Sequence, residues 1–165
     1  MLDLRTEVVV DQQGSYSGKS NGLKCPSSGN EAPSVRWRIK DIYGNEYAFF
    51  KMSQYYCWDG LVVSNATRTG PPDPAVITAD VTALGGLAGL VLDSRGSSSG
   101  QYEQYNGQTK GSWRAVTSGT KFTARIFYGP IPYTVFQPQL TIVVRSDGTV
   151  VRGCIPSGGS CPAGT

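Results

Sequence analysis

Histidine is absent from the 165 residues, and with it go the commonest general base, the commonest metal ligand and every Ser-His-Asp or Cys-His nucleophile arrangement. Charge is sparse as well. Fifteen Lys and Arg against twelve Asp and Glu make up 16% of the chain and leave a net +3, a weak basis for binding nucleic acid. No window approaches the ~18 consecutive apolar residues of a membrane-spanning helix. Long helical stretches are missing too, because 21 Gly and 10 Pro interrupt the chain and each is costly inside a helix. What remains is 39% hydrophobic residues and 10% aromatics, set in short runs between turn residues. That is enough for one domain over residues 1–165.

Four cysteines, Cys25, Cys57, Cys154 and Cys161, form an even set in a Gly-rich, charge-poor chain, the pattern of a small extracellular domain held by disulfides. The spacing favours a local bridge from Cys154 to Cys161 across Gly and Ser, which leaves Cys25 with Cys57. A four-cysteine metal site is disfavoured by the lack of Cys-x2-Cys pairs, so no metal or other cofactor is expected. The first ten residues, MLDLRTEVVV, lack the basic-then-apolar order of a signal peptide. The expectation is a secreted protein whose leader is replaced by Met1.

Periodicity points to strands. Val35, Trp37 and Ile39 alternate with Arg36, Arg38 and Lys40, the period of two of a half-buried strand. Gly44-Asn45 signals a hairpin turn. A two-residue loop there sets Trp37 opposite Met52, Ile39 opposite Phe50 and Arg38 opposite Lys51. Further strands are expected at residues 61–63, 76–81, 113–116, 122–128 and 140–144, with Ser146 to Thr149 turning the chain onto Val150 and Val151. Residues 84–92, with three glycines, read as a short buried strand or tight turn in preference to a helix. Two stretches, 11–33 and 94–112, carry few aliphatic side chains and read as long polar loops. Residues 153–165 read as a tail bridged by its two cysteines. The expected fold is an all-β antiparallel sandwich, or a flattened barrel, with long Gly/Ser-rich loops and two disulfides.

Chemistry has few carriers. Asp59, Asp73 and Asp147 precede Gly or Pro, where a short acid stabilises a turn through the backbone. Glu46, Asp93 and Glu103 remain as members of a carboxylate pair such as a glycosidase needs. Ser17-Gly18-Lys19 sits in loop sequence, not in the apolar frame of a serine-lysine site. Asn65-Ala66-Thr67 matches the glycosylation acceptor pattern.

Binding surfaces are better supported. Arg36, Arg38 and Lys40 share one side of their strand, and Tyr47, Phe49 and Lys51 share that side of the next. Such cations beside rings would suit an anionic cell-wall glycopolymer or an acidic protein surface, unless nearby acids neutralise them or the face is merely a charged guard against aggregation. Tyr16, Tyr102 and Tyr105 lie in the two polar stretches, whose Tyr/Ser/Gly/Asn composition is that of adaptable recognition loops.

The segment Tyr56-Cys57-Trp58-Asp59-Gly60, followed by Val62-Val63-Ser64, Thr120 to Ile126 and Leu140 to Thr149, resembles small secreted actinobacterial β-sandwich proteins with a W-C-W-D-G-like segment. The likeness covers roughly residues 37–151. It implies export and a sandwich fold, and it supplies no catalytic residue. Such proteins often carry a cysteine near the strand at 122–128, where this chain has none, so the resemblance leaves the partner of Cys57 open. The function expected is a noncatalytic recognition or assembly module that binds a cell-surface polymer or docks into a larger extracellular complex such as a toxin particle. A carboxylate-pair hydrolase and a self-assembling structural protein are the alternatives.

Overall fold

The structure, a computed structural model, describes residues 4–19, 22–124 and 134–155. In chain order its elements are β1 Leu4–Gln12, β2 Ser17–Gly18, β3 Lys24–Cys25, β4 Ser34–Asp41, β5 Glu46–Ser53, β6 Cys57–Trp58, β7 Val63–Ser64, β8 Val76–Val81, α1 Ala83–Leu87, β9 Leu90–Ser94, β10 Ser97–Tyr105, β11 Gln108–Ser118, β12 Lys121–Ala124, β13 Thr134–Phe136, β14 Gln139–Arg145 and β15 Val150–Ile155, with a 3-10 turn at Gly29–Glu31.

All pairings are antiparallel. The first sheet runs β1-β4-β5-β8, the second β10-β11-β14-β15, the third β13-β12-β9, and a small fourth β2-β3-β6-β7. The sheets form a sandwich and do not close into a barrel. Val35, Trp37, Ile39, Ala48, Phe50 and Met52 of the first sheet meet Ala115, Leu140, Ile142 and Val144 of the second and Leu90, Phe122 and Ala124 of the third in one buried cluster. Trp37 is fully buried, its ring 5.4 Å from that of Phe122 and 6.1 Å from that of Phe136. Each such side chain contributes roughly 1.5–3 kcal/mol through burial, and the alternation of β4 is what aims them all inward.

The hairpin β4–β5 corrects the expected register. Trp37 pairs with Phe50, Ile39 with Ala48, Arg38 with Phe49 and Arg36 with Lys51. The loop is Ile42 to Gly44, closed by Asp41 N–H donating to Asn45 O at 3.0 Å, and Gly44 holds the left-handed φ of +86° that ends such three-residue loops. A bulge at Tyr47 adds one more offset. The net slip of two residues preserves the faces, because strand side chains repeat with period two. The bulge nevertheless turns Tyr47 inward. It is buried in the core cluster and donates a hydrogen bond to Asp41 Oδ2 at 3.2 Å, so it does not belong to the cationic face.

The stretch 94–112 is not a loop but most of a long hairpin. Asn106 and Gly107 both take positive φ, 51° and 77°, the turn for which Asn-Gly is the preferred pair. Polar side chains suffice on β10 because it is an edge strand with most residues exposed, while Tyr102 pairs with Trp113 on β11 and packs edge-on against its ring at 5.1 Å. Residues 11–33 are likewise partly ordered into strands. β1 extends to Gln12, β2 pairs with β3, and Leu23, Cys25 and Cys57 form a separate buried cluster. The Cys25–Cys57 disulfide supplies the burial that the few aliphatic residues there cannot.

Residues 84–87 belong to the short helix α1, which overturns the strand-or-turn reading there, while residues 88–89 turn the chain into β9, where 90–92 are strand as expected. Thr82 Oγ1 caps α1, accepting from Gly85 N–H at 3.1 Å and donating to Glu46 O at 2.8 Å. Gly85 is needed because a Cβ there would overlap the Tyr47 carbonyl. A cap contributes about 1 kcal/mol, comparable to the cost of one helical glycine. Among the described residues one disulfide is seen instead of two. The other expected bridge ends at Cys161, outside them, as do the tail beyond Ile155 and residues 125–128 of the strand expected at 122–128.

Candidate functional site

On the outer face of the first sheet the register does bring Arg36, Arg38, Lys40, Phe49 and Lys51 together, all half-buried. It also brings acids from β1 and β5 between them. Glu7 pairs with Arg38 and, at 2.8 Å, with Lys40. Glu46 binds Arg36 at 2.5 Å, and Asp11 binds Lys51 at 2.7 Å. Arg36 also stacks 4.2 Å above the Phe49 ring. The Lys40 ammonium, followed by Arg38, holds the Glu7 carboxyl below the usual glutamate range despite partial burial. The face is a ladder of alternating charge with a much weaker field than its cations alone would give.

The three tyrosines act as fasteners. Tyr16 donates to Tyr56 Oη at 2.8 Å and packs edge-on against Tyr56 and Trp58. Tyr102 donates to Val63 O at 2.9 Å and Tyr105 to Asp147 Oδ2 at 2.7 Å. Burial raises the hydroxyls of Tyr16, Tyr56 and Tyr102 above the ordinary tyrosine range.

The Cys57-Trp58-Asp59-Gly60 segment is also structural. Cys57 closes the disulfide, and Trp58 covers Gly148, where a Cβ would lie 2.6 Å from the indole. Asp59 Oδ1 accepts from Leu61 and Val62 N–H, both at 2.9 Å, and Gly60 N–H donates to Ser146 O at 2.7 Å. Asn65 Oδ1 accepts from Thr67 and Thr69 N–H, each at 3.1 Å, and so organises its own loop. Glu46, Asp93 and Glu103 stand on three different sheets, engaged by Arg36, Thr123 and Arg114 respectively. Among the described residues no three Cys, Asp or Glu side chains cluster as metal ligands.

The site that sequence reasoning missed lies where the edges of the first two sheets approach each other. A cleft of about 320 Å³ is lined by Pro71, Pro72, Pro74 and Ala75 from the loop entering β8, by Ser98, Ser99 and Gly100 of β10, by Trp113 and Ala115 of β11, and by Gln54 just after β5. The prolines fix their own φ and stiffen that wall. Gly100 lets the Trp113 ring lie against the β10 backbone, where any Cβ would overlap the indole. Ser98 Oγ ties the walls together by donating to Ala75 O at 3.0 Å.

Two polar atoms here have no partner. Gln54 is fully buried, and its Nε2 donates to Tyr55 O at 2.8 Å and to Asp73 O at 2.7 Å. Two carbonyl acceptors fix which end of the amide is nitrogen, leaving Oε1 an acceptor without a donor. Trp113 Nε1, which can only donate, is buried without an acceptor. No titratable side chain is among the described lining residues. Both atoms are sealed from solvent, so they lie behind the wall of the cleft, and the cleft presents an uncharged surface dominated by prolines, small residues and the indole.

A second hollow of about 320 Å³ on the second sheet includes Glu103, Arg114, Arg145 and Thr141 in its lining, but its charges are largely engaged. Arg114 donates to Glu103 at 2.6 Å, and Arg145 stacks 4.8 Å above Tyr105. No family model, curated protein or solved structure matches the chain.

Proposed function

We propose that this protein is a noncatalytic extracellular recognition module that holds an uncharged group of a cell-surface polymer, or of a larger extracellular assembly, in the cleft between Pro71, Pro72, Pro74 and Trp113. The observation that supports the reading is the cleft itself, a hollow of about 320 Å³ walled by prolines and the Trp113 ring with no titratable side chain among its described lining residues. The Cys25–Cys57 disulfide favours an oxidising compartment. The balanced charge ladder of the first sheet makes an anionic polymer a poorer fit than a neutral one.

Co-sedimentation with purified insoluble cell-wall polymer tests the reading. Saturable retention without release of soluble fragments is expected. Fragment release would favour the hydrolase alternative, and absence of retention would remove the polymer from consideration.

One observation favours self-assembly as a second reading. β10 is a nine-residue edge strand, largely exposed, with neither Lys nor Pro to discourage pairing. Size-exclusion chromatography at rising concentration should then show oligomers, and a constant monomer would dismiss it.

A further inference from the structure

We infer that the hollow on the outer face of the second sheet is an anion site, in which Arg114 and Arg145 hold the phosphate of a phosphodiester. It is separate from the cleft beside Trp113, concerns a different ligand group and does not depend on that reading.

The described lining of this hollow holds three arginines, Arg114, Arg145 and Arg152, against one carboxylate, Glu103. Strand register sets the first two near each other. Arg145 on β14 pairs with Ser112 on β11, and Arg114 stands two residues further along the same face of β11, a diagonal that long side chains span. Glu103 pairs with Ser112 from the other side and accepts from Arg114 Nε at 2.6 Å. That bond uses one of the five guanidinium donors, and the Arg114 side chain, 39% exposed, has no other partner among the described residues. Arg145 stacks on the Tyr105 ring, which positions its guanidinium without neutralising it. Asp147 accepts from the hydroxyl of that ring but forms no ion pair with Arg145 among the described residues. The Arg152 guanidinium is bonded to the carbonyls of Ser34, Gln12 and Gln13, so its charge adds to the local field with no carboxylate against it.

The arrangement favours a tetrahedral oxyanion. A carboxylate offers two oxygens in one plane, the match for a single guanidinium fork, and Glu103 already engages Arg114 in that way. A phosphate presents oxygens on several sides and accepts from two guanidinium groups at once. Glu103, Arg114 and Arg145 together carry one net positive charge, which complements a diester with its single negative charge better than a monoester at about −1.5 to −2. Val143 and Val151 in the lining offer apolar contact to the carbon substituents of the diester.

Titration of the 15N-labelled protein with glycerophosphoglycerol at constant ionic strength tests the inference. The backbone amides of Ser112, Arg114 and Arg145 should shift saturably, while those of Ala75 and Gly100, which line the cleft instead, stay in place. Sodium acetate should bind at least about tenfold more weakly, and Arg145→Gln should weaken the diester about tenfold, the loss of a charged hydrogen-bonding partner. Glu103→Gln should tighten binding about threefold, since a repelling charge is removed; a purely structural role for Glu103 would not give tighter binding. Gly153→Phe fills the hollow from a position where a Cβ meets only open space, so it should lose binding with its thermal unfolding unchanged. None of these variants alters a residue that lines the cleft.

Equal affinity for acetate would overturn the assignment to phosphate. Absence of a saturable shift, or affinity unchanged in both Arg145→Gln and Gly153→Phe, would overturn the site. Weaker binding in Glu103→Gln would overturn the charge argument behind it. Retention on phosphatidylglycerol vesicles without binding of the soluble diester would overturn a single held phosphate in favour of adsorption to a charged surface.

Discussion

The Trp113 indole lies directly against the backbone of Gly100, close enough that a single added methyl at Gly100 would occupy the same space as the ring. This contact joins β10 to β11 and sets one wall of the cleft. Gly100→Ala must therefore move Trp113. The expected result is a shifted Trp113 indole resonance, weakened ligand binding and a loss of stability of about 1–3 kcal/mol, the range for overpacking, read from the indole spectrum and urea unfolding.

The Cys25–Cys57 bridge spans a sequence separation of 32. On the loop-entropy model it stabilises by roughly 3.5 kcal/mol. The double substitution Cys25→Ala, Cys57→Ala should lower the unfolding free energy by about 2–4 kcal/mol, and it should loosen the fourth sheet first, because Leu23 and both sulfurs share one small core. An unchanged denaturation midpoint would contradict this.

Gly148 takes a φ of +85° beneath Trp58, so Gly148→Ala combines backbone strain with a clash. Circular dichroism melting should show a loss of more than about 1 kcal/mol, larger than for Gly107→Ala. Gly107 also has positive φ, 77°, but open space around it.

Stability should be flat over a wide pH range and fall at both ends. Glu7, Asp41 and Asp147 all have depressed carboxyls. Lys40 and Arg38 lower Glu7 despite burial. For Asp41 and Asp147, burial pushes upward but is outweighed by hydrogen bonds, from Asn45, Tyr43 and Tyr47 in the first case and from Thr149 and Tyr105 in the second. Their contribution is present above the ordinary carboxylate values of 3.8 to 4.5 and is lost as pH falls through the lower folded values. Tyr16, Tyr56 and Tyr102 are raised by burial above the ordinary 10.0, so their contribution is present below pH 10 and is lost as pH rises through the folded values. With no histidine, the midpoint of urea unfolding should hold constant between about pH 5.5 and 9. A step near pH 6.5 would contradict this.

Strand alternation alone makes the core legible. Val35, Trp37 and Ile39 face inward because a slip of two residues does not exchange faces, although the three-residue loop ending at Gly44 and the bulge at Tyr47 changed every partner in that hairpin. The hairpin β10–β11 was less visible, since an edge strand needs few aliphatic side chains. Its one strong signal was Asn106-Gly107, a turn pair hidden in an otherwise polar stretch. The cations of the outer face are legible in β4 and β5 alone, but the acids that balance them come partly from Glu7 and Asp11 on β1, a strand whose pairing only the fold reveals. The cleft was illegible for a related reason. Gln54, Pro72, Gly100 and Trp113 come from four separate segments, and an orphaned amide oxygen is a property of packing, not of spacing.

The two surfaces make opposite predictions in one experiment. Retention on purified cell-wall polymer should be measured for the unsubstituted protein, for Pro74→Trp, whose position is exposed and lines the cleft, and for Arg38→Glu combined with Lys51→Glu on the first sheet. Loss of retention in Pro74→Trp, with retention kept by the charge-reversed protein, is the result predicted here. Retention kept by Pro74→Trp and lost on charge reversal would contradict the account and return the binding surface to the charged face of the first sheet.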